Sequence, residues 1–194
     1  MSFSNISIMR ASREALNPHW GLGVLISFIY VVIVGSSGYF VPNLSELIPL
    51  LFAGPFSLGF AYFSFSVIHN KPPYLGQLFE GFQSYGKSFL AYLVISILAV
   101  VGFILLIIPG IIISLGLGMT FYVMADRPDL SFIECIQESW RLMRDQKIKF
   151  LGLNLRFFPW YLLGILCLGV GVLFVIPWHY ASCAKFYDQI KSEN

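Results

Sequence analysis

Three stretches of the chain are almost free of charge: Trp20 to Asn70 with only Glu46, Ser88 to Ala125 with none, and Phe150 to Ala184 with only Arg156. Each is far longer than the ~20 residues one helix needs to cross a bilayer core. A single helix from Ser88 to Ala125 would measure about 57 Å, nearly twice the hydrocarbon thickness of about 30 Å. The middle stretch therefore reads as a hairpin, and the helix-breaking pair Pro109-Gly110 is its expected outer turn. Flanking charge agrees: Lys and Arg stay on the cytoplasmic side, and Lys87 and Arg127 bracket this stretch. Arg13 with Lys71, and Lys149 with Lys185, bracket the other two, which makes each of them a hairpin as well.

The pattern predicts an all-α polytopic membrane protein of six transmembrane helices, arranged as three hairpins with both termini inside. The expected spans are 20–41, 48–69, 88–108, 111–125, 151–169 and 172–187. All 12 Lys and Arg residues then lie at or near the cytoplasmic face, and the outer turns carry only Glu46. The fourth span is short, about 22 Å, which implies tilt, local thinning or a turn that dips into the membrane.

Amphipathic interfacial segments separate the hairpins. Ser131-Phe-Ile-Glu134 is a capping box, so a helix begins there. Phe132, Ile133, Ile136, Trp140 and Met143 fall on its expected apolar face, opposite Glu134, Gln137, Glu138, Arg141 and Asp145. Leu75, Leu78, Phe79, Phe82 and Tyr85 recur at helical spacing after Lys71-Pro72-Pro73, in a segment weakened by Gly76, Gly81 and Gly86. Residues 4 to 17 form a fainter third case. The chain thus reads as a single integral membrane domain over 1–194, with repeat-like units at 3–70, 73–125 and 129–187.

Composition sharpens this. Of 194 residues, 57% are hydrophobic and only 11% charged, against about 25% in soluble domains. A net charge of +2 without a dense basic cluster argues against nucleic acid as a partner. The apolar run after Arg10 and Arg13 is longer than a signal-peptide core and lacks a small-x-small cleavage site, so it is expected to act as an uncleaved anchor. Cys135, Cys167 and Cys183 form no paired motif and indicate neither disulfide nor metal site, and no cofactor motif is present.

The motifs Gly54-Pro-Phe-Ser-Leu-Gly-Phe-Ala-Tyr-Phe, Leu106-Ile-Ile-Pro-Gly-Ile-Ile, Ala125-Asp-Arg-Pro-Asp-Leu-Ser, Glu138-Ser-Trp-Arg-Leu-Met, Ile176-Pro and Phe186-Tyr187 occur in that order. In this the chain resembles the bacterial domain-of-unknown-function family numbered 975 over nearly its whole length. The resemblance implies a multi-pass protein of the bacterial cell membrane and carries over no catalytic residue. The chain is also similar to the membrane portion of some glycerophosphodiester phosphodiesterases, whose catalytic barrel has no counterpart here.

Ionisable and polar groups inside a span are costly and so mark candidate sites. Asn154, Arg156, His179 and Tyr180 are the candidates, with Tyr122 and Tyr62 able to add polar contacts. Arg156 reads first as a side chain that snorkels to headgroups, and His179 as a hydrogen-bonded structural histidine ahead of a proton relay. Arg141, Arg144, Lys147 and Lys149 are the expected lipid-headgroup contacts. Ser57 with Ala61, and Ser114 with Gly118, are small pairs suited to close helix packing.

The expected role is non-enzymatic, an interaction with membrane lipids or with a membrane partner, including a second copy of the chain. The alternative is a small transporter or channel for a neutral or anionic solute, against which stands the absence of Asp and Glu from the expected spans.

Overall fold

The computed structural model describes residues 4–35 and 47–193 and is all-helical there. Helix α1 (Asn5–Leu16) opens on Ser4, whose hydroxyl accepts from the Ser7 amide. A 3-10 turn at Asn17–His19 leads into α2 (Trp20–Gly35). Then follow α3 (Leu47–Ile68), the single turn α4 (Gln77–Glu80), α5 (Tyr85–Leu105), α6 (Ile107–Leu117) and α7 (Thr120–Asp126). Helices α8 (Phe132–Leu142), α9 (Lys147–Leu166) and α10 (Val172–Glu193) complete the chain. The expected outer turn of the first hairpin, with Glu46, lies outside the described residues.

Four helical segments are long and apolar enough to cross a membrane: Asn5–Val34, Pro49–Ile68, Tyr85–Leu105 and Ile107–Asp126. Helices α9 and α10 have the length but carry Lys147, Lys149 and Arg156, and Lys185, Asp188, Lys191 and Glu193. Helix α3 forms the centre, packed by α4, α5, α7 and α10. Its Phe56, Phe60 and Phe63 are fully buried together with Tyr187 of α10.

Local geometry corrects several expectations. The turn of the middle hairpin is Leu106, which alone is extended between α5 and α6 (φ −166°, ψ 151°). Pro109 lies in the first turn of α6, where its missing N–H belongs to a donor that has no helical partner anyway. Gly110 is where the two helices touch: a Cβ there would meet the Phe103 ring at 2.5 Å, and one on Gly102 would meet the Gly110 Cα at 3.0 Å. The proline–glycine pair thus flanks the bend and permits its tightness without being its apex.

The expected fourth span is broken at Gly118-Met119 into α6 and α7. The third hairpin turns at residues 167–171, with Leu168 (φ 57°) and Gly169 (φ 79°) left-handed. Helix α9 starts at Lys147, four residues before the expected span, and α10 continues to Glu193 with Pro177 inside it.

The helix expected through residues 75–85 shrinks to α4 because that segment lies with its backbone directly against α3. A Cβ on Gly59 would meet the Leu78 carbonyl oxygen at 2.2 Å, and one on Gly81 the Pro55 carbonyl oxygen at 1.9 Å. Tertiary contact overrides helical periodicity here.

Helix α8 has the expected capping box, with Glu134 N–H donating to Ser131 Oγ and Ser131 N–H to Glu134 Oε2. Its buried residues are Cys135, Ser139 and Leu142, while Ile133 and Trp140 of the expected apolar face are exposed. Ser139 is buried because it bonds the backbone beside it. Its hydroxyl donates to the Gly116 carbonyl at 2.9 Å and accepts from the Met119 amide at 3.2 Å, satisfying backbone groups that the α6–α7 break frees.

Contacts between helix ends gather the charges at one pole. Lys87 Nζ donates to the Pro128 and Leu130 carbonyls, Arg127 and Arg141 both bond Glu138, and Lys191 reaches Asp126 at 2.6 Å. His69 lies 3.0 Å from Asp188, and Asn5 donates to the Lys149 carbonyl at 2.9 Å. The turns at Leu106 and 167–171 carry no charge and lie about 30 Å along α5 and α9 from this pole.

Candidate functional site

Two features could carry function, and they divide the sequence-derived candidates between them. The first is a half-open cavity of about 380 Å³ between α7, α9, α10 and α3, lined by Tyr122, Asn154, Tyr161, His179, Tyr180 and Cys183 among others. Asn154 and His179 are brought together by the antiparallel packing of α9 on α10. The Asn154 amide nitrogen donates to the Phe150 carbonyl at 2.8 Å, which turns its Oδ1 toward His179 Nε2, 3.0 Å away.

That arrangement sets the imidazole tautomer. Nε2 carries the proton and donates to Asn154, so Nδ1 is free to accept from the Tyr161 hydroxyl at 3.0 Å. The result is a neutral chain, Tyr161 to His179 to Asn154 to the Phe150 carbonyl, in which every link has a donor and an acceptor. Tyr180 stacks on Phe60 with centroids 4.5 Å apart, and Tyr122 O–H donates to the Tyr180 carbonyl. Among the described residues, no carboxylate lines the cavity. Chemically it suits a small polar, uncharged molecule or a few waters.

Tyr161 was not among the residues the sequence singled out. Its signal is the i, i+7 spacing from Asn154, which places both on one face of α9. Tyr62, offered as a polar contact, does not line the cavity.

Arg156 is not part of this cavity. It is exposed on the opposite flank of α9 and lines a groove of about 450 Å³ with Arg10 and Arg13 of α1 and with Trp160 and Trp178. Helix α1 is held there by two bonds to α10: Trp178 Nε1–H donates to the Met9 carbonyl at 2.9 Å, and Ser12 O–H to the Ala181 carbonyl at 3.4 Å. The Arg13 guanidinium lies 5.8 Å from the Trp178 ring centroid. Among the described residues, none of the three arginines forms an ion pair.

The cations expected to meet headgroups lie at the charged pole but are not equivalent. Arg141 is paired to Glu138 through two bonds of 2.7 and 2.8 Å, and Lys147 sits 4.5 Å over the Trp140 ring. Arg144 and Lys149 are exposed. The Arg141 hydrogen bonds, with Arg127 nearby, hold the Glu138 carboxyl below its ordinary value of 4.5 against the opposing effect of partial burial.

A family model described as "Protein of unknown function (DUF975)" matches residues 93–194. The matched part contains the Leu106-Ile-Ile-Pro-Gly, Ala125-Asp-Arg-Pro, Glu138-Ser-Trp-Arg and Ile176-Pro motifs, but not the Gly54-Pro run. No curated protein and no solved structure matches the chain, and no match supports the expected likeness to phosphodiesterase membrane domains.

Proposed function

The chain belongs to the DUF975 family, whose description assigns no activity, and from that premise we propose, on geometry alone, a non-enzymatic multi-pass protein of the bacterial cell membrane that binds anionic lipid. Six helices cross or enter the bilayer as three hairpins, and both termini are cytoplasmic. The observation that carries this reading is the single charged pole. Bonds from Asn5, His69, Lys87, Asp126, Arg127, Glu138 and Lys191 tie the helix ends together there. A pole of this kind, set at the cytoplasmic leaflet, gains about 1 kcal/mol per unpaired cation near anionic lipid.

Exposed apolar surface supports the membrane reading. From Phe103 to Ile108 every side chain is apolar and 47% to 78% exposed, and Leu168 is 95% exposed. Such tips are stable in lipid and not in water. Lipid extracted with the purified protein tests the function: enrichment of anionic over zwitterionic species relative to the bulk membrane is expected. Lipid of bulk composition contradicts it.

The half-open cavity favours a second reading, passage or binding of a small neutral solute. Here the Tyr161–His179–Asn154 chain supplies donors and acceptors without a charge to hold the solute back. Arg156 lies outside this cavity, so an anionic solute is the weaker form of the idea. Solute flux into proteoliposomes that is lost in His179→Phe supports it, and flux equal to protein-free vesicles counts against it.

A further inference from the structure

The arginine groove does not end at Trp160 and Trp178. A second depression, about 430 Å³, continues from the same Arg13, Trp160 and Trp178 along Trp20, Leu163 and Phe174 to Gly171 at the third turn. Its lining is almost wholly apolar, whereas the first depression holds three guanidinium groups. Among the described residues, no acidic residue lines either part. Together they form one amphipathic slot on the outer flank of the α1–α9–α10 layer.

The slot has a direction. Asn5 is bonded to the Lys149 carbonyl, which fixes the start of α1 beside the start of α9 at the charged pole. From that level Arg10 lies about 8 Å along α1, and Arg156 about 10 Å along α9. The apolar end at Cys167 lies about 16 Å beyond Arg156. The cations therefore sit nearer the charged pole and the apolar track runs away from it toward the remote turn, with Trp160 and Trp178 lining both parts.

We propose that this slot is a binding site for one anionic phospholipid of the charged-pole leaflet. The phosphate is held by Arg10, Arg13 and Arg156, and one acyl chain lies along Trp160, Leu163 and Phe174. Three features argue for a lipid over any other occupant. The arginines are unpaired among the described residues and offer the forked donors that match phosphate oxygens. Charge and apolarity are segregated along one track, as they are in a lipid. Gly164 and Gly171 allow the hairpin to close so tightly that a Cβ on Gly164 would meet the Val172 amide at 2.8 Å, which leaves the slot floor smooth. The inference rests on the lipid-binding reading above and names its site.

The full chain in a non-ionic detergent, titrated with phosphatidylglycerol or phosphatidylcholine and read by native mass spectrometry, tests it. The unsubstituted protein is expected to retain phosphatidylglycerol in preference. Arg156→Gln weakens that binding about fivefold, and Arg10→Gln/Arg156→Gln about 25-fold, at about fivefold per cation. Arg144→Gln/Lys149→Gln, at exposed cations of the same pole outside the slot, weakens it less than Arg10→Gln/Arg156→Gln does. Trp160→Ala/Phe174→Ala weakens both lipids, and millimolar inorganic phosphate fails to displace the bound lipid. Anionic preference that survives Arg10→Gln/Arg156→Gln overturns the slot but leaves the lipid-binding function standing. No preference in the unsubstituted protein overturns both, and displacement by inorganic phosphate overturns a lipid as the occupant.

Discussion

At the scale of single residues, close backbone approach and buried charge carry the sharpest expectations. Gly81 and Gly86 look alike in the sequence, yet a Cβ on Gly81 would lie 1.9 Å from the Pro55 carbonyl oxygen while one on Gly86 meets nothing within 4 Å. Gly81→Ala is therefore expected to cost about 3 kcal/mol or more by overpacking, and Gly86→Ala in the first turn of α5 to stabilise by about 0.5–1 kcal/mol. Thermal unfolding in detergent, followed by helical circular dichroism, separates them. Glu138 gives a pH dependence whose sign is fixed by its lowered folded-state value. Its contribution is fully present above the unfolded value near 4.5 and is lost as pH falls through the folded one. Acid unfolding of Glu138→Gln should show a shallower loss of stability below about pH 4.5 than the unsubstituted chain. The polar candidates were legible as residues because polar groups are rare in apolar runs, and Asn154, His179 and Tyr180 do line one cavity. Asn154 and Arg156 are two residues apart, a spacing that puts them on opposite flanks of α9, so grouping Arg156 with the cavity side chains joined it to groups it does not meet.

At the scale of elements, helix α8 shows how a sequence pattern can mark where a helix starts without saying which of its residues pack on protein. The capping box marks its start, since that signal is local. The apolar stripe through Ile133 and Trp140 leaves open which side meets protein, because next to a membrane an apolar side chain can face lipid as well as protein. The deciding residue is a serine: Ser139 is buried because the α6–α7 break at Gly118-Met119 needs a hydroxyl. Ser139→Ala is expected to cost about 1–3 kcal/mol by stranding the Gly116 carbonyl and the Met119 amide. Ser139→Thr keeps the hydroxyl and loses less, and hydrogen exchange at Met119 should rise in the alanine variant alone. The middle hairpin teaches a related lesson. Proline signals a helix interruption, but its tolerance in a first turn lets the bend slip three residues to Leu106.

At the scale of the whole molecule, charge asymmetry along the chain was the most informative sequence feature, because it depends on composition at segment ends and not on contact detail. The same ends meet in space at one pole, and four helical segments have the length and apolarity to cross a bilayer. Hydropathy alone did not distinguish the third hairpin, whose helices carry Lys147, Lys149, Arg156, Lys185 and Lys191, with Arg156 in the arginine groove and Lys191 at the charged pole. The native thiols offer the most direct test of this one-sided arrangement. Cys167 is exposed in the turn remote from the pole, whereas Cys135 and Cys183 are buried. A second protein, Arg144→Cys in a Cys167→Ser background, places a thiol at the pole itself. With a membrane-impermeant maleimide applied to inside-out vesicles, the account predicts modification at position 144 and none at Cys167. Modification of Cys167 from the same face as position 144 would contradict it.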